Sequence, residues 1–476
     1  MLSGTLRQQA RISALAAILF LAVVTGAYGT PMATLVKDIC PGSCPGNFFR
    51  FTELNGRLYF EHVKPAGDYD LWVTNGTPGG TFKVTDINPG GDDFIHSLSK
   101  AGSTLYFSGN DGVNGHELWK SDGTALGTTL VRDIRSSGSS YPRYLTDVNG
   151  ILFFQATDST HGGELWRSDG TEAGTTMVRN ILLGGNSSAP ANLINVNGTL
   201  FFVANDNSHG RELYVSDGTF VGTRMVKDIN PGSDPSNPQN FKAVGSILYF
   251  TADDGSHGRE LWSSDGTSEG TQQVGDIWFG SPGSEPSSIV QYSITLMFSA
   301  DNGMNGRELW GSVLGMTTSM IKDIYNPYGL PELSSNPEFL TVASGSVFFA
   351  ATTHDGTARE LWKSDGTSTG TVMVKNINPA TDSNPKHLIN FGDLVYFAAD
   401  DGVYGEELWV SDGTETGTVL YQNINPSSSS KPQDFFRIGQ TLYFTADDGE
   451  HGRELWKIGN GSVWNIFLPA IIHRRR

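Results

Sequence analysis

A segment reading GRELWSSDGTSEGT at residues 258–271 returns in altered form along almost the whole chain, its leucine recurring from Leu71 to Leu455 at intervals of 47, 47, 48, 48, 48, 52, 47 and 47 residues. A unit of that size cannot bury its own apolar face, so the repeat requires an array in which neighbours cover one another. Most of the memorable residues are repeat residues, and repeat residues usually serve architecture.

Residues 241–277 give the clearest copy. Phe241 to Val244 forms a short extended run, ended by Gly245-Ser246, where sister copies carry Asn55-Gly56, Asn149-Gly150 and Asn197-Gly198. Such dipeptides tolerate positive φ and signal hairpins. Ile247 to Ala252 is apolar on both faces and predicts a strand covered on both sides. After a turn at Asp253 to Gly258, Arg259 to Ser264 predicts a third strand with Glu260 and Trp262 on one face and Leu261 on the other. Asp265-Gly266 turns the chain, and Thr271 to Ile277 reads as a fourth strand. A Pro/Gly/Ser-rich crossing such as Asn230 to Pro238 leads to the next unit. Four antiparallel strands with two apolar faces, repeated around an axis, make an all-β propeller.

The segments ELWKSDGTALGT (117–128), ELWRSDGTEAGT (164–175), ELWSSDGTSEGT (260–271), ELWKSDGTSTGT (360–371) and ELWVSDGTETGT (407–418) resemble the ELWxxDGT-repeat family of exported bacterial proteins. The resemblance runs from residue 34 to 467 and implies export and propeller-like repeats; it supplies no catalytic residues. The first copy departs with DLWVTNGTPGGT from Asp70, the fourth has Tyr214 for Trp, and the sixth reads ELWGSVLGMTTS from Glu308. Loss of the Asp-Gly turn puts the outer hairpin of the sixth unit in question.

Nine second-strand segments predict about nine blades. Thr34 to Ile39 precedes the first full unit and Ser462 to Phe467 follows the last, and either could complete a blade shared between the chain ends and so protect sheet edges. Two smaller propellers split near residues 311–338 are the alternative. The continuous spacing favours one ring.

Residues 1–29 combine Arg7 and Arg11, an apolar run from Ala14 to Val24 and small residues near Gly29, the pattern of a secretory signal peptide. The propeller is expected over 30–467, followed by a short apolar and basic tail at 468–476 that reads as a final strand end or a sorting signal. Removing the two arginines of the signal takes the formal charge from −18 to −20. Such acidity disfavours nucleic acid and anionic membrane as partners. Cys40 and Cys44, the only cysteines, lie in CPGSC and suit a local disulfide in an oxidising compartment. The mature chain is expected to be monomeric, without a membrane span, and secreted or held at the cell surface.

Few motifs suggest chemistry. Asp253, Asp254 and Glu260, with Asp447, Asp448 and Glu454 in the last copy, could offer oxygens to Ca2+, although their spacing matches no known calcium loop. Asp-Gly turns account for the same residues. His161, His209, His257 and His451 share one slot that elsewhere holds Asn114, Asn305 or Tyr404, which fits turn packing better than zinc ligation. The repeated pairs Glu117/Trp119, Glu164/Trp166, Glu260/Trp262, Glu308/Trp310, Glu360/Trp362, Glu407/Trp409 and Glu454/Trp456 read as structural, each buried carboxylate needing donors from Thr hydroxyls or neighbouring backbone. Nucleophile-elbow, P-loop and dinucleotide fingerprints are not evident. The resulting expectation is a non-enzymatic scaffold, with Ca2+ as its one candidate cofactor, binding an extracellular glycan, protein or cell surface through its variable loops. The alternative is a polysaccharide-active hydrolase or lyase with acids gathered at one mouth of the channel.

Overall fold

The computed structural model describes residues 32–42, 46–64, 67, 69–314, 316–325, 333–353 and 358–459. They form nine four-stranded antiparallel sheets, one per repeat, arranged as the blades of a propeller. In blade 5 the strands are Gln239–Val244, Ile247–Asp253, Arg259–Ser264 and Gln272–Gly275. The period-2 alternation of the second strand splits its side chains between two interfaces. Phe250 and Ala252, with Trp262, pack on Phe201 and Val215 of blade 4, while Tyr249 and Leu261 pack on Leu296 and Phe298 of blade 6. Phe250 and Leu261 are fully buried, so each contributes about 1.5–3 kcal/mol that exists only when two blades meet.

The ring is single. Each inner strand lies beside the next, and that of blade 9 (Gln433–Ile438) lies beside that of blade 1 (Asn47–Leu54). The split into two propellers is thereby excluded: Met297 and Leu309 of blade 6 share a core with Val347, Phe349 and Trp362 of blade 7. Closure falls to the N-terminal segment. Thr34–Lys37 pairs antiparallel with Arg453–Ile458 as the outermost strand of blade 9, and Val36 packs with Leu455, Tyr443, Phe48 and Phe60 across the seam. Ser462 to Phe467, the signal peptide and the tail lie outside the described residues. The sixth outer hairpin also forms without its Asp-Gly turn, because Arg307–Val313 and Thr318–Lys322 keep their register, with Ser312 opposite Thr318.

The repeat residues tie blade to blade. Glu117, Glu164, Glu212, Glu260, Glu308, Glu360, Glu407 and Glu454 are fully buried at the start of the third strands. Glu117 accepts hydrogen bonds from the backbone N–H groups of Ile134 and Ser140, at 2.9 Å each, and from the Ser140 hydroxyl at 2.6 Å. Ser188, Ser236, Ser284, Ser335, Ser383 and Ser430 repeat the arrangement. The donors are thus serine and backbone groups of the crossing to the next blade, in place of the expected threonines. Glu454, in the last blade, accepts from the Cys40 backbone N–H and so pins the closing N-terminal segment. On the outer side, the Asp of each Asp-Gly turn accepts from a Thr two residues on, as Asp265 does from Thr267.

The aromatic residue two beyond each of these glutamates, tryptophan in every case but Tyr214, faces the preceding blade. Trp119 shares a core with Leu71 and Val73, Trp166 with Tyr106 and Leu118, Trp310 with Tyr249 and Leu261, Trp409 with Phe348 and Leu361, and Trp456 with Leu408 and Val410. The two members of a pair are held by different forces. The glutamates are satisfied by donors, whereas the buried indole N–H groups of Trp119, Trp166, Trp262, Trp310, Trp362, Trp409 and Trp456 meet no hydrogen-bond acceptor among the described residues. Lysines cover some of the rings: Lys227 passes 5.9 Å over Trp262 on its way from blade 4 to the Thr271 carbonyl of blade 5, and Lys375 lies 6.0 Å over Trp409.

Candidate functional site: a cleft over blades 1 to 3

The serine anchored by each buried glutamate begins a Ser-X-Pro step into the next inner strand, as in Ser140-Tyr141-Pro142 and Ser236-Asn237-Pro238. The middle residue sits at positive φ: Tyr141 at 50°, Ala189 at 46°, Asn237 at 45°, Glu285 at 47° and Lys431 at 48°. Three residues later every inner strand has a second positive-φ residue, at Arg50, Ser97, Tyr144, Asn192, Asn240, Ser288, Phe339, His387 and Asp434. In each strand the register with its neighbour shifts at this point, as between Arg143 and Thr146. A bulge re-aims its side chain, and left-handed backbone at a non-glycine residue costs about 1–3 kcal/mol. The fold maintains that cost nine times while the residue displayed changes from blade to blade. The invariant frame therefore presents a variable ring at one mouth of the propeller.

The first residue of the third strand borders that mouth. In blades 4 to 7 and 9 it is an arginine whose guanidinium donates to the carbonyl of the positive-φ residue: Arg259 to Asn237 at 2.8 Å, Arg307 to Glu285 at 2.8 Å, Arg359 to Asn336 at 2.8 Å and Arg453 to Lys431 at 3.0 Å. Arg211 makes the same contact with Ala189 at 3.4 Å. Blades 1, 2 and 3 carry Tyr69, His116 and Gly163 in this slot, and blade 8 carries Glu406. Over blades 1 to 3, where the arginine is missing, a cleft of about 850 Å³ opens, lined among others by Arg50, Phe94, His96, His116, Tyr141, Arg143 and Tyr144.

A ladder of rings runs along the cleft, which Arg50 and Arg143 also line. Tyr69 meets His96 edge-on at 4.7 Å; His96 stacks on His116 with centroids 6.4 Å apart and planes 11° apart; His116 stacks on Tyr141 at 5.1 Å and meets Phe94 at 5.4 Å. Arg50, half-exposed, is held by Glu61, which is fully buried and pairs with it at 2.8 Å while accepting from the Leu98 backbone N–H at 3.1 Å. Arg143 is exposed and makes no ion pair among the described residues. Partial burial lowers the pKa of both His96 and His116, and the Arg143 guanidinium adds to the effect at each, with Arg50 acting on His96 as well; Asp92 opposes them. Both imidazoles are thus held neutral near pH 7. Burial pushes the Glu61 carboxyl upward, against the pull of Arg50. No carboxylate lines the cleft among the described residues, so the acids expected at the channel mouth are replaced by bases.

The sequence-selected residues lie elsewhere. Asp253 accepts from the Gly255 backbone N–H, and Asp254 accepts from the Ser256 and His257 backbone N–H groups and pairs with the His257 ring at 2.7 Å. Glu260 is turned inward onto Ser284, and Asp447, Asp448 and Glu454 repeat the pattern with Gly449, His451 and Cys40. These calcium candidates are not brought into one oxygen cage, and among the described residues no group of three or more His, Cys, Asp or Glu is placed to hold a metal. The histidine slot is turn chemistry: His161, His209, His257 and His451 each face an Asp three residues back at 2.7–2.9 Å. The repeated tryptophans contribute nothing to the cleft, since Trp119, Trp166, Trp310, Trp409 and Trp456 stand between blades and are at most 8% exposed. Cys40 is disulfide-bonded, and Cys44 lies outside the described residues. Sequence reasoning missed the cleft because its residues fall outside the repeated motif; the break in the arginine slot at Tyr69, His116 and Gly163 was the available signal.

No family model and no curated protein matches the chain. Among solved structures it is similar to a mutant puromycin hydrolase crystallised as a complex, at 14% identity and a TM-score of 0.41, over 89% of this chain and 61% of that one. It is similar also to prolyl endopeptidases studied for inter-domain dynamics, at 12% identity and a TM-score of 0.40, over 84% and 54%. A third is a puromycin-hydrolyzing peptidase of Mycobacterium tuberculosis, at 10% identity and a TM-score of 0.40, over 84% and 58%. The chain spans between 54% and 61% of the length of these proteins. The expectation of a non-enzymatic protein finds no support in these likenesses, since the structures named are peptidases, but at TM-scores near 0.4 they assign no activity to this chain. Likeness at this level carries no residue assignment across, and the site is argued from its own geometry.

Proposed function

We propose that the chain is a polysaccharide-active enzyme, hydrolase or lyase, working at the cleft over blades 1 to 3. One observation carries the reading. In a chain of formal charge −18, two guanidinium groups, two imidazoles and several exposed rings converge in one opening over blades 1 to 3. Phe94, Tyr141 and Tyr144, between 38% and 49% exposed, offer apolar faces on which sugar rings can lie, and the cationic groups offer charge-assisted hydrogen bonds. Singular constellations of this kind, in a concave opening with shifted pKa values, are where chemistry is expected. Export, a secreted or surface location, a monomeric state and kinship with the ELWxxDGT-repeat family belong to the same proposal and rest on the sequence pattern.

The test is turnover on a panel of polysaccharides, read by reducing ends, with binding read on a glycan array. Chain cleavage that is lost on altering His116 and kept on altering His257 supports the reading. Absence of cleavage across the panel, or cleavage indifferent to the cleft, overturns it.

A further inference from the structure

We propose that the cleft cleaves an acidic, uronate-bearing polysaccharide by β-elimination, with His96 taking the proton, Tyr141 supplying one to the departing sugar oxygen, and Arg50 and Arg143 holding the uronate carboxylate. The inference deepens the reading above and rests on it. Two features of the lining select this chemistry. Glycoside hydrolysis ordinarily uses a pair of carboxyl groups, about 5–9.5 Å apart, flanking the bond, and no Asp or Glu lines the cleft among the described residues. What lines it instead is what proton abstraction beside a carboxylate requires: bases that are uncharged at neutral pH, and fixed positive charge where negative charge develops.

The placement is specific. His96 lies in the cleft that Arg50 and Arg143 also line, its ring set between Tyr69 at 4.7 Å and His116 at 6.4 Å, so a carboxylate held by the two guanidinium groups presents its neighbouring C–H to this ring. The charge of Asp92, which lies outside the lining, opposes the two guanidinium groups at His96, and His116 adds to their effect. Arg50 is anchored from behind by the fully buried Glu61, which leaves the rest of its fork for a ligand. Tyr141 stands beyond His116 at the far end of the ladder, where a leaving sugar would emerge. In the reaction the C–H bond next to the carboxylate breaks, and its proton passes to His96. The electron pair forms a C=C bond, the bond from the next carbon to the bridging oxygen breaks, and that oxygen takes the Tyr141 proton. Imidazolium and phenolate then exchange the proton through solvent, so water is not consumed and no oxidant is needed.

The experiment incubates the full chain with polygalacturonate, alginate and hyaluronan and, separately, with neutral dextran and starch, following reducing ends and the ultraviolet absorbance of the unsaturated uronate together. The expected result is both signals rising in step on at least one acidic polymer and neither on the neutral ones. His96→Gln should lower the rate by about 10²–10⁴-fold at unchanged thermal midpoint. Arg143→Gln, at an exposed position that leaves folding intact, should raise KM for the acidic polymer. Reducing ends without the absorbance would overturn elimination and leave a polysaccharide hydrolase standing. Cleavage of the neutral polymers alone would overturn the acidic substrate. Binding or silence without cleavage of any polymer would overturn this inference, and silence on a wider panel would remove the parent reading too.

Discussion

Replacing Glu117 by Gln tests how the propeller holds its display ring in place. Burial pushes the Glu117 carboxyl from 4.5 up to about 7, against hydrogen bonds from Ser140 and Ile134 that favour its ionised form. At about 1.36 kcal/mol per pH unit, a rise of that size makes ionising the folded state costlier than ionising the unfolded chain by about 3 kcal/mol. Because the folded pKa is the higher one, the folded state binds more protons than the unfolded state between pH 4.5 and 7. The carboxyl's contribution is therefore full below pH 4.5 and is lost as the pH rises through 7. A glutamine has nearly the same shape and cannot ionise. Its stability relative to the parent should improve by about 3 kcal/mol between pH 4.5 and pH 8, although its amide must set a donor against one of three donors. Denaturant unfolding followed by tryptophan fluorescence at several pH values measures the difference. Two curves running parallel across that window would refute the reasoning, since they would mean that the serine and backbone donors keep Glu117 ionised despite burial.

Three further outcomes follow from the same frame. Deleting residues 30–37 removes the outermost strand of blade 9 and leaves Arg453–Ile458 as an unpaired edge, so sedimentation should show self-association; a monodisperse product would contradict the seam described at Val36. His116→Arg restores the arginine of blades 4 to 7 in blade 2, where it can reach the Phe94 carbonyl and fill the cleft, so glycan binding should weaken at least tenfold without loss of stability; unchanged binding would place the ligand elsewhere. An excess of chelator should leave the thermal midpoint where it is, because Asp253, Asp254, Asp447 and Asp448 are each engaged within their own turn; a lower midpoint would show a cation shared among them.

The blades were legible because their signals are local and repeated. Leu261 and Trp262 alternate across a strand, Asp265-Gly266 turns it, and the unit appears nine times. The N-terminal closure was half legible. Thr34 to Ile39 reads TLVKDI, against TLVRDI at 129–134, yet the C-terminal segment competed for the same place, and pairing between chain ends some 400 residues apart carries no local signal. The sixth hairpin looked broken because a turn motif was missing, whereas cross-strand register at Ser312 and Thr318 was enough to hold it. The site was hidden for a different reason. Its residues occupy positions where the repeat imposes a backbone conformation and leaves the side chain free, so Arg50, Tyr144 and Asn192 look unrelated in sequence while standing in equivalent places. Their meaning comes from the ring, which brings His96, His116, Tyr141 and Arg143 from two successive blades into one opening.

Function at the cleft where the arginine slot lapses over blades 1 to 3 is tested most directly by a crystal structure of the protein soaked with an acidic oligosaccharide. The sugar should lie across blades 1 to 3, with a carboxylate between Arg50 and Arg143 and a ring face on Tyr141 or Phe94. A ligand seated over blades 4 to 7, where Arg211, Arg259, Arg307 and Arg359 close the mouth, or on the outer Asp-Gly turns, would contradict it.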